Sequence, residues 1–282
     1  MPTYKQVLSK AKQATRKHDK EASAAELLFL NFSGLEPTQL YLKYEEIMPK
    51  ESEIKFLEAL GLYLGKNIPV QQIIGHVYFY GHKFSVKNTA LIPRFETEEL
   101  VANVLIAYDE YFQGKPVRLV DIGTGSGCLA VTIKKEEPSI EVVATDISDE
   151  ALTLAKENAD NLGAKVQFIS GDMLKPLVGQ KFDIIVSNPP YIPNNEKVDS
   201  IIYDNEPHIA LFGGEDGLDF YREILQGAKS ILNEKAIIAF EHAYDKSSLL
   251  QEIARENFPK AKIYTLKDMQ KLDRMTFIII GF

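Results

Sequence analysis

At 282 residues the chain is long for one domain and suits two, and 45% apolar residues supply enough side chains for packed cores. Forty acids against 32 lysines and arginines give a net charge of −8, a balance that disfavours a protein gripping duplex nucleic acid through its phosphates. A single cysteine, Cys128, excludes an internal disulfide and fits a reducing compartment.

Residues 3–65 read as helices. Tyr4, Val7, Leu8 and Ala11 recur at helical spacing, and further helices follow over 24–32, 38–44 and 51–64. Asn67-Ile68-Pro69 breaks the last of them. The first helix is basic, with Lys5, Lys10, Lys12, Arg16, Lys17 and Lys20 against Asp19 alone. Such a stripe reads as the solvated face of an amphipathic helix, with docking of an acidic partner as the alternative. Residues 77–87 alternate around Gly81-His82 and read as a hairpin. From 117 onward strands and helices alternate, the pattern of a parallel sheet covered on both faces. No run approaches the roughly 18 apolar residues of a membrane span, and the polar N-terminus lacks a secretory apolar region, so the expectation is a cytoplasmic protein off the membrane. His18, His76, His82, His208 and His242 show no metal-ligand spacing, so no metal is expected.

Four consecutive strand ends carry polar residues, and strand ends in an open α/β sheet line one crevice. The first run, 117–122, leads into Asp121-Ile122-Gly123-Thr124-Gly125-Ser126-Gly127, where glycine lets a ligand lie against the main chain. This spacing is neither the dinucleotide fingerprint nor the phosphate loop. Cys128, opening the next helix, reads as a small buried spacer. The second run ends in Asp146, close to the ~20-residue separation of an acid that hydrogen-bonds a ribose. The third runs into Gly171-Asp172-Met173, and the fourth into Asn188-Pro189-Pro190-Tyr191. Two prolines fix two φ angles and remove two N–H donors, so this corner presents one amide side chain and bare carbonyls, a receptor for an NH₂ group.

Together these four motifs resemble the class I S-adenosylmethionine-dependent methyltransferases, and Asn-Pro-Pro-Tyr resembles those that methylate planar amino nitrogens. Pro69-Val70-Gln71-Gln72-Ile73-Ile74-Gly75, Phe79-Tyr80-Gly81-His82-Lys83-Phe84 and Leu91-Ile92-Pro93-Arg94-Phe95-Glu96-Thr97-Glu98 are similar to the linker of the PrmC/HemK family. Glu206-Pro207, Ala210-Leu211, Gly213-Gly214-Glu215-Asp216-Gly217-Leu218 and Asp273-Arg274 also resemble it, whereas Phe95 stands where that family usually has proline. The resemblance implies an α/β fold with a Rossmann-like, mostly parallel sheet, an N-terminal all-helical domain (1–70) for substrate recognition, a β-hairpin linker (71–92) and a methyltransferase domain (93–282). It also implies that a late strand over 276–281 pairs antiparallel with one over 262–266.

The implied reaction moves a methyl group from S-adenosylmethionine to the side-chain nitrogen of the Gly-Gly-Gln glutamine in class 1 peptide-chain release factors. No direct nucleic-acid contact is expected, and the protein is expected to be a monomer. In this reading Gly123, Thr124, Gly125, Ser126 and Gly127 hold the methionyl and ribose part of the donor. Asp121 orients the loop or the amino group, Asp146 takes the ribose hydroxyls, and Asp172 with Met173 the adenine. Asn188 borders both ligands. Asn188 and Pro189 accept the substrate N–H groups, Pro190 stiffens the corner and Tyr191 packs on the flat amide. Arg94, Phe95 and Glu96 wall the site, and residues 206–217 form a flap. A ribosomal-protein glutamine, an adenine amino group, or a non-catalytic cofactor-binding scaffold are the alternatives.

Overall fold

A computed structural model describes residues 1–282, which divide into two compact units: Met1–His76 with Val198–Asn205, and Val77–Lys197 with Glu206–Phe282. The first unit is helical: α1 (Tyr4–Lys17), α2 (Ala22–Ser33), α3 (Pro37–Leu42), α4 (Lys50–Gly65) and α5 (Val70–Ile74). Thr3 starts α1 with a capping box, its hydroxyl accepting from the Gln6 N–H while the Gln6 side chain accepts from the Thr3 N–H. The 3–4 spacing seen in the sequence becomes the buried stripe Tyr4, Val7, Leu8, Ala11 and Thr15. It packs on Phe29 and Phe56, both fully buried, whose rings meet edge-on at 5.0 Å. On the outer face Lys5 pairs with Glu45, Lys12 with Glu26, and Lys20 donates to the Tyr63 carbonyl, so only part of the basic stripe is unpaired.

The excursion Val198–Asn205 had no sequence signal. It is held by single hydrogen bonds: Asn67 Nδ2 to Ser200 Oγ (3.0 Å), Asn205 Nδ2 to the Asn67 carbonyl (2.9 Å), and Gln72 Nε2 to the Asn205 carbonyl (2.8 Å). Residues 71–74, read from the sequence as part of the linker, continue the helical unit as α5.

The second unit begins with the hairpin β1 (His76–Phe79) and β2 (His82–Ser85), turned by Tyr80 and Gly81 at φ 50° and 77°. Then follow α6 (Phe95–Phe112), β3 (Arg118–Ile122), α7 (Cys128–Glu136), β4 (Glu141–Asp146), α8 (Asp149–Leu162), β5 (Val166–Ser170) and β6 (Phe182–Ser187). After α9 (Ser200–Tyr203), which belongs to the helical unit, come α10 (Asp219–Ile231), β7 (Leu232–Glu241), α11 (Ser247–Asn257), β8 (Lys262–Lys267) and β9 (Asp273–Ile280). The sheet order is β5-β4-β3-β6-β7-β9-β8. The first five are parallel, whereas β9 runs antiparallel to both β7 and β8.

Alternation along the strands fills two cores, one on each face. Leu119, Ile184, Val186, Ile237 and Ala239 enter one, and Val120, Phe182, Ile185, Ile238 and Phe240 the other. Each such aliphatic or aromatic side chain contributes roughly 1.5–3 kcal/mol by leaving water, so cutting Ile238 back to alanine costs about 2–5 kcal/mol. Chain order reverses between β3 and β6, and that switch point opens the crevice at the carboxyl ends of the strands.

Candidate active site

The loop after β3 folds back over β4. The N–H groups of Gly123 and Thr124 both reach the Thr145 carbonyl at 2.9 Å. Asp146, at the end of β4, accepts from the Gly125 N–H with one oxygen (2.8 Å) and from the Ser148 N–H with the other (2.9 Å). Asp146 thus staples the glycine loop to the neighbouring strand while keeping one further lone pair on each oxygen. Burial, partly opposed by those backbone donors, raises its pKa. Two glycines are dictated by close approach. A Cβ on Gly127 would sit 3.0 Å from Ala155 Cβ at φ 82°, and one on Gly171 would sit 2.8 Å from Pro176 Cγ.

Asp121 lies beneath the loop, fully buried, accepting from the Thr124 hydroxyl at 2.6 Å. Its other oxygen has no partner, and desolvation outweighs the Thr124 bond, pushing its carboxyl up to about 7. Cys128 is half-buried against the same loop. Desolvation, reinforced by Asp121 and Glu241, pushes its thiol up to about 12, so it stays protonated.

Opposite stands the corner after β6. Ser187 Oγ donates to the Ile122 carbonyl (2.6 Å), locking the ends of β3 and β6 together. Asn188 Nδ2 donates to Thr97 Oγ1 (3.2 Å) in the first turn of α6. The segment 206–217, read from the sequence as a flap, is stitched to the corner at one end. Ile192 N–H donates to the Leu211 carbonyl (3.0 Å), Gly213 N–H to the Ile192 carbonyl (2.8 Å), and Asn194 N–H to the Gly214 carbonyl (2.8 Å). A Cβ on Gly213 would lie 2.3 Å from the Pro190 carbonyl oxygen, and one on Gly217 2.2 Å from that of Tyr191. Earlier in the same segment, buried Glu206 accepts from the Ile92 N–H (3.0 Å) and pairs with Arg94.

The two sides enclose a cleft of about 1100 Å³, its open mouth included. Of the residues singled out in the sequence, Arg94, Gly123, Thr124, Gly125, Ser126, Asp146, Asp172, Met173, Asn188, Pro189 and Pro190 line it. Asp121 and Gly127 do not; they sit behind the loop they shape. Phe95 is largely exposed, and neither it nor Glu96 lines the cleft. Tyr191 packs against the core on the α10 face, its phenol pushed up to about 12 by desolvation with Glu241 nearby. Pro207 and Ile209, from the segment read as a flap, also line the cleft, as do Thr97 and Phe220, which were not assigned there from the sequence. Glu241 was missed too, although it ends the apolar run of β7 as Asp146 ends β4.

The cleft fits a cationic, adenosine-bearing donor. Glycine backbone and two carboxylates line it, while Lys175 is paired with Asp172 and Arg94 with Glu206. Sheet order, switch-point crevice and strand-end residues together define a class I methyltransferase. The Methyltransferase small domain family matches residues 103–206, and a methyltransferase from Pyrococcus furiosus shares the fold with a TM-score of 0.53 at 18% identity, covering 81% of this chain and 97% of that one.

The PrmC N-terminal domain family matches residues 6–75. The Release factor glutamine methyltransferase of Bacillus subtilis is 38% identical over 286 residues, 99% of each chain, and that of Bacillus anthracis 37% over 276, 96% of this chain and 97% of that one. This chain belongs to the release factor glutamine methyltransferase family.

Proposed function

We propose that the protein methylates the side-chain amide nitrogen of the Gly-Gly-Gln glutamine in peptide-chain release factors, with S-adenosylmethionine as donor. The observation that carries this reading is the Asn188 carboxamide, which donates its Nδ2 to Thr97 and so keeps Oδ1 as an acceptor beside the donor-shaped cleft. A glutamine amide nitrogen is a poor nucleophile because its lone pair is delocalised into its own carbonyl. Asn188 Oδ1 and the Pro189 carbonyl each accept one N–H of the substrate, turn the lone pair toward the donor and stabilise the positive charge that develops on nitrogen. Preorganised acceptors of this kind contribute roughly 3–4 kcal/mol each, and positioning up to about 7–11 kcal/mol. The methylated nitrogen is acidic and gives its proton to water, so no catalytic base is required.

On the other side, 123–127 cradle the methionyl and ribose portion, Asp146 the ribose hydroxyls, and Asp172 with Met173 the adenine. When bound, S-adenosylmethionine supplies an electrophilic methyl group on a sulfonium. Arg94 walls the acceptor side, and the helical N-terminal region recognises the release factor, the hairpin linking it to the methyltransferase domain. No helix is long and apolar enough to cross a membrane. The protein acts as a monomer in the cytoplasm, where release factors work, without contacting nucleic acid.

Labelled S-adenosylmethionine, offered with a release factor, with the same factor carrying a Gln→Ala change in Gly-Gly-Gln, with ribosomal protein and with DNA, tests this. Label on the intact factor alone supports the reading; label on DNA or on the altered factor ends it.

A further inference from the structure

Behind Asn188 lies a group that the reaction described above does not use. Glu241, the last residue of β7, is 2% exposed, and its Oε2 has no hydrogen-bond partner. The Thr97 hydroxyl and the Asn188 amide both favour the anionic form of its carboxyl. Thr97 is itself 3% exposed and accepts from Asn188 Nδ2 at 3.2 Å. A threonine hydroxyl has one proton. Once that proton points at a carboxylate, only oxygen lone pairs face Asn188, and they accept N–H but repel a carbonyl. A carboxamide flipped by 180° would set Oδ1 against those lone pairs and against the carboxylate.

We propose that Glu241 and Thr97 are positioning residues for methyl transfer: one directional hydrogen-bond chain, Asn188 to Thr97 to Glu241, fixes the Asn188 carboxamide with Oδ1 presented to the substrate nitrogen. This rests on the reading of Asn188 as the acceptor. The chain has polarity only while the carboxyl is anionic. Protonated, Glu241 no longer claims the Thr97 proton, the hydroxyl is free to turn toward Oδ1, and both amide orientations become allowed.

The groups facing Glu241 come from several elements. Thr97 on α6, Arg274 on β9 and Asn188 favour the anion. Glu96 on α6 disfavours it. The phenols of Tyr191 and Tyr221 and the Cys128 thiol feel its charge and stay neutral. Desolvation outweighs the favourable contacts and places the carboxyl at about 7, so the chain loses its polarity as the medium turns acidic.

The test compares wild type with Thr97→Val, Thr97→Ser, Glu241→Gln and Asn188→Ala, reading kcat and KM for the release factor, cofactor affinity and thermal melting. Thr97→Val is expected to lower kcat roughly a hundredfold, the scale of a slightly misplaced reacting group, with cofactor affinity unchanged. Thr97→Ser restores most of it, because the hydroxyl returns. Wild-type kcat falls on the acid side with a midpoint at about 7, and Glu241→Gln is slower and lacks that limb. Should Asn188→Ala be inactive while Thr97→Val and Glu241→Gln keep wild-type kcat, the positioning role is overturned and the acceptor role survives. Should Asn188→Ala keep its turnover, the acceptor reading itself falls. If Glu241→Gln proves unstable, the threonine pair decides alone, since a purely structural hydroxyl would alter melting without separating kcat from KM.

Discussion

The two sides of the cleft are built by different means. The donor side is local: the loop 121–127, Asp146 and 171–173 each follow one strand directly, and their hydrogen bonds run between adjacent strand ends. The acceptor side is assembled from afar. Asn188 leans on Thr97, which is 91 residues away, while Arg94 meets Glu206 across 112 residues. Short-range construction yields a rigid, repeated cradle for a constant donor. Long-range construction places a single carboxamide with the care that an unreactive amide nitrogen demands.

The sharpest way to separate the sides is Asn188→Ala. It should lower kcat by roughly 10²–10³, the loss typical of one preorganised polar group, while cofactor affinity measured by calorimetry stays near wild type. A matching loss of cofactor binding would merge the two sides into one.

Paired glycine changes sharpen the same contrast. Gly213→Ala drives a methyl group into the Pro190 carbonyl, at a strain of about 1–3 kcal/mol, and should slow turnover with little effect on cofactor affinity. Gly127→Ala, crowded by Ala155 at φ 82°, should do the reverse and weaken cofactor binding. Steady-state kinetics with titrated cofactor distinguishes the two.

Arg94→Ala tests the acceptor wall. It strands the buried Glu206 carboxylate, whose remaining bond is from the Ile92 N–H, and should destabilise the protein by about 1–3 kcal/mol in denaturant melts. A Glu206→Gln change added to Arg94→Ala should recover part of that loss.

The smallest effect is on the donor side. Asp121 has its pKa raised from 3.8 to about 7, chiefly by desolvation. An acid that holds its proton more tightly when folded stabilises the fold in acid. That contribution is greatest below the unfolded value, is lost as pH rises toward the folded one, and is flat beyond it. Asp121→Asn removes this loss and should leave the variant relatively more stable at pH 8 than at pH 4. Melting temperature against pH reports it.

Much of this was legible before any coordinates, and unevenly so. The parallel sheet and the helical N-terminal region could be read because period-2 and period-3.6 patterns reflect which face each element buries, whereas the late antiparallel pair was implied only by the family resemblance. The donor-side motifs were legible because glycine and strand-end carboxylates carry their meaning in consecutive residues. Tyr191 and Phe95 show the limit. The first was assigned to the substrate by its place in the tetrad yet packs into the α10-side core, and the second was assigned to the wall yet is exposed. A ring next to a motif has two faces to choose from, and neighbours distant in sequence make the choice. The segment 206–217 was read as a flap, with a surface loop and glycine turn as the alternative; Pro207, Ile209 and Ala210 line the cleft, while Gly213 and Gly217 are there so that another backbone can approach.

By itself the sequence determined the fold class, the order of strands and helices, and the four strand ends that form a methyl-donor cleft. Local chain stiffness and alternation of apolar residues, which act within a few positions, gave the elements and their polar ends, and the resemblance of those ends to a known family gave the methyl donor. Only the tertiary structure decided which way the Asn188 carboxamide faces, what holds the corner from behind, and that residues 198–205 join the helical unit. Those depend on hydrogen bonds between residues far apart in the chain, whose directions are set by the protons and lone pairs that folding brings together.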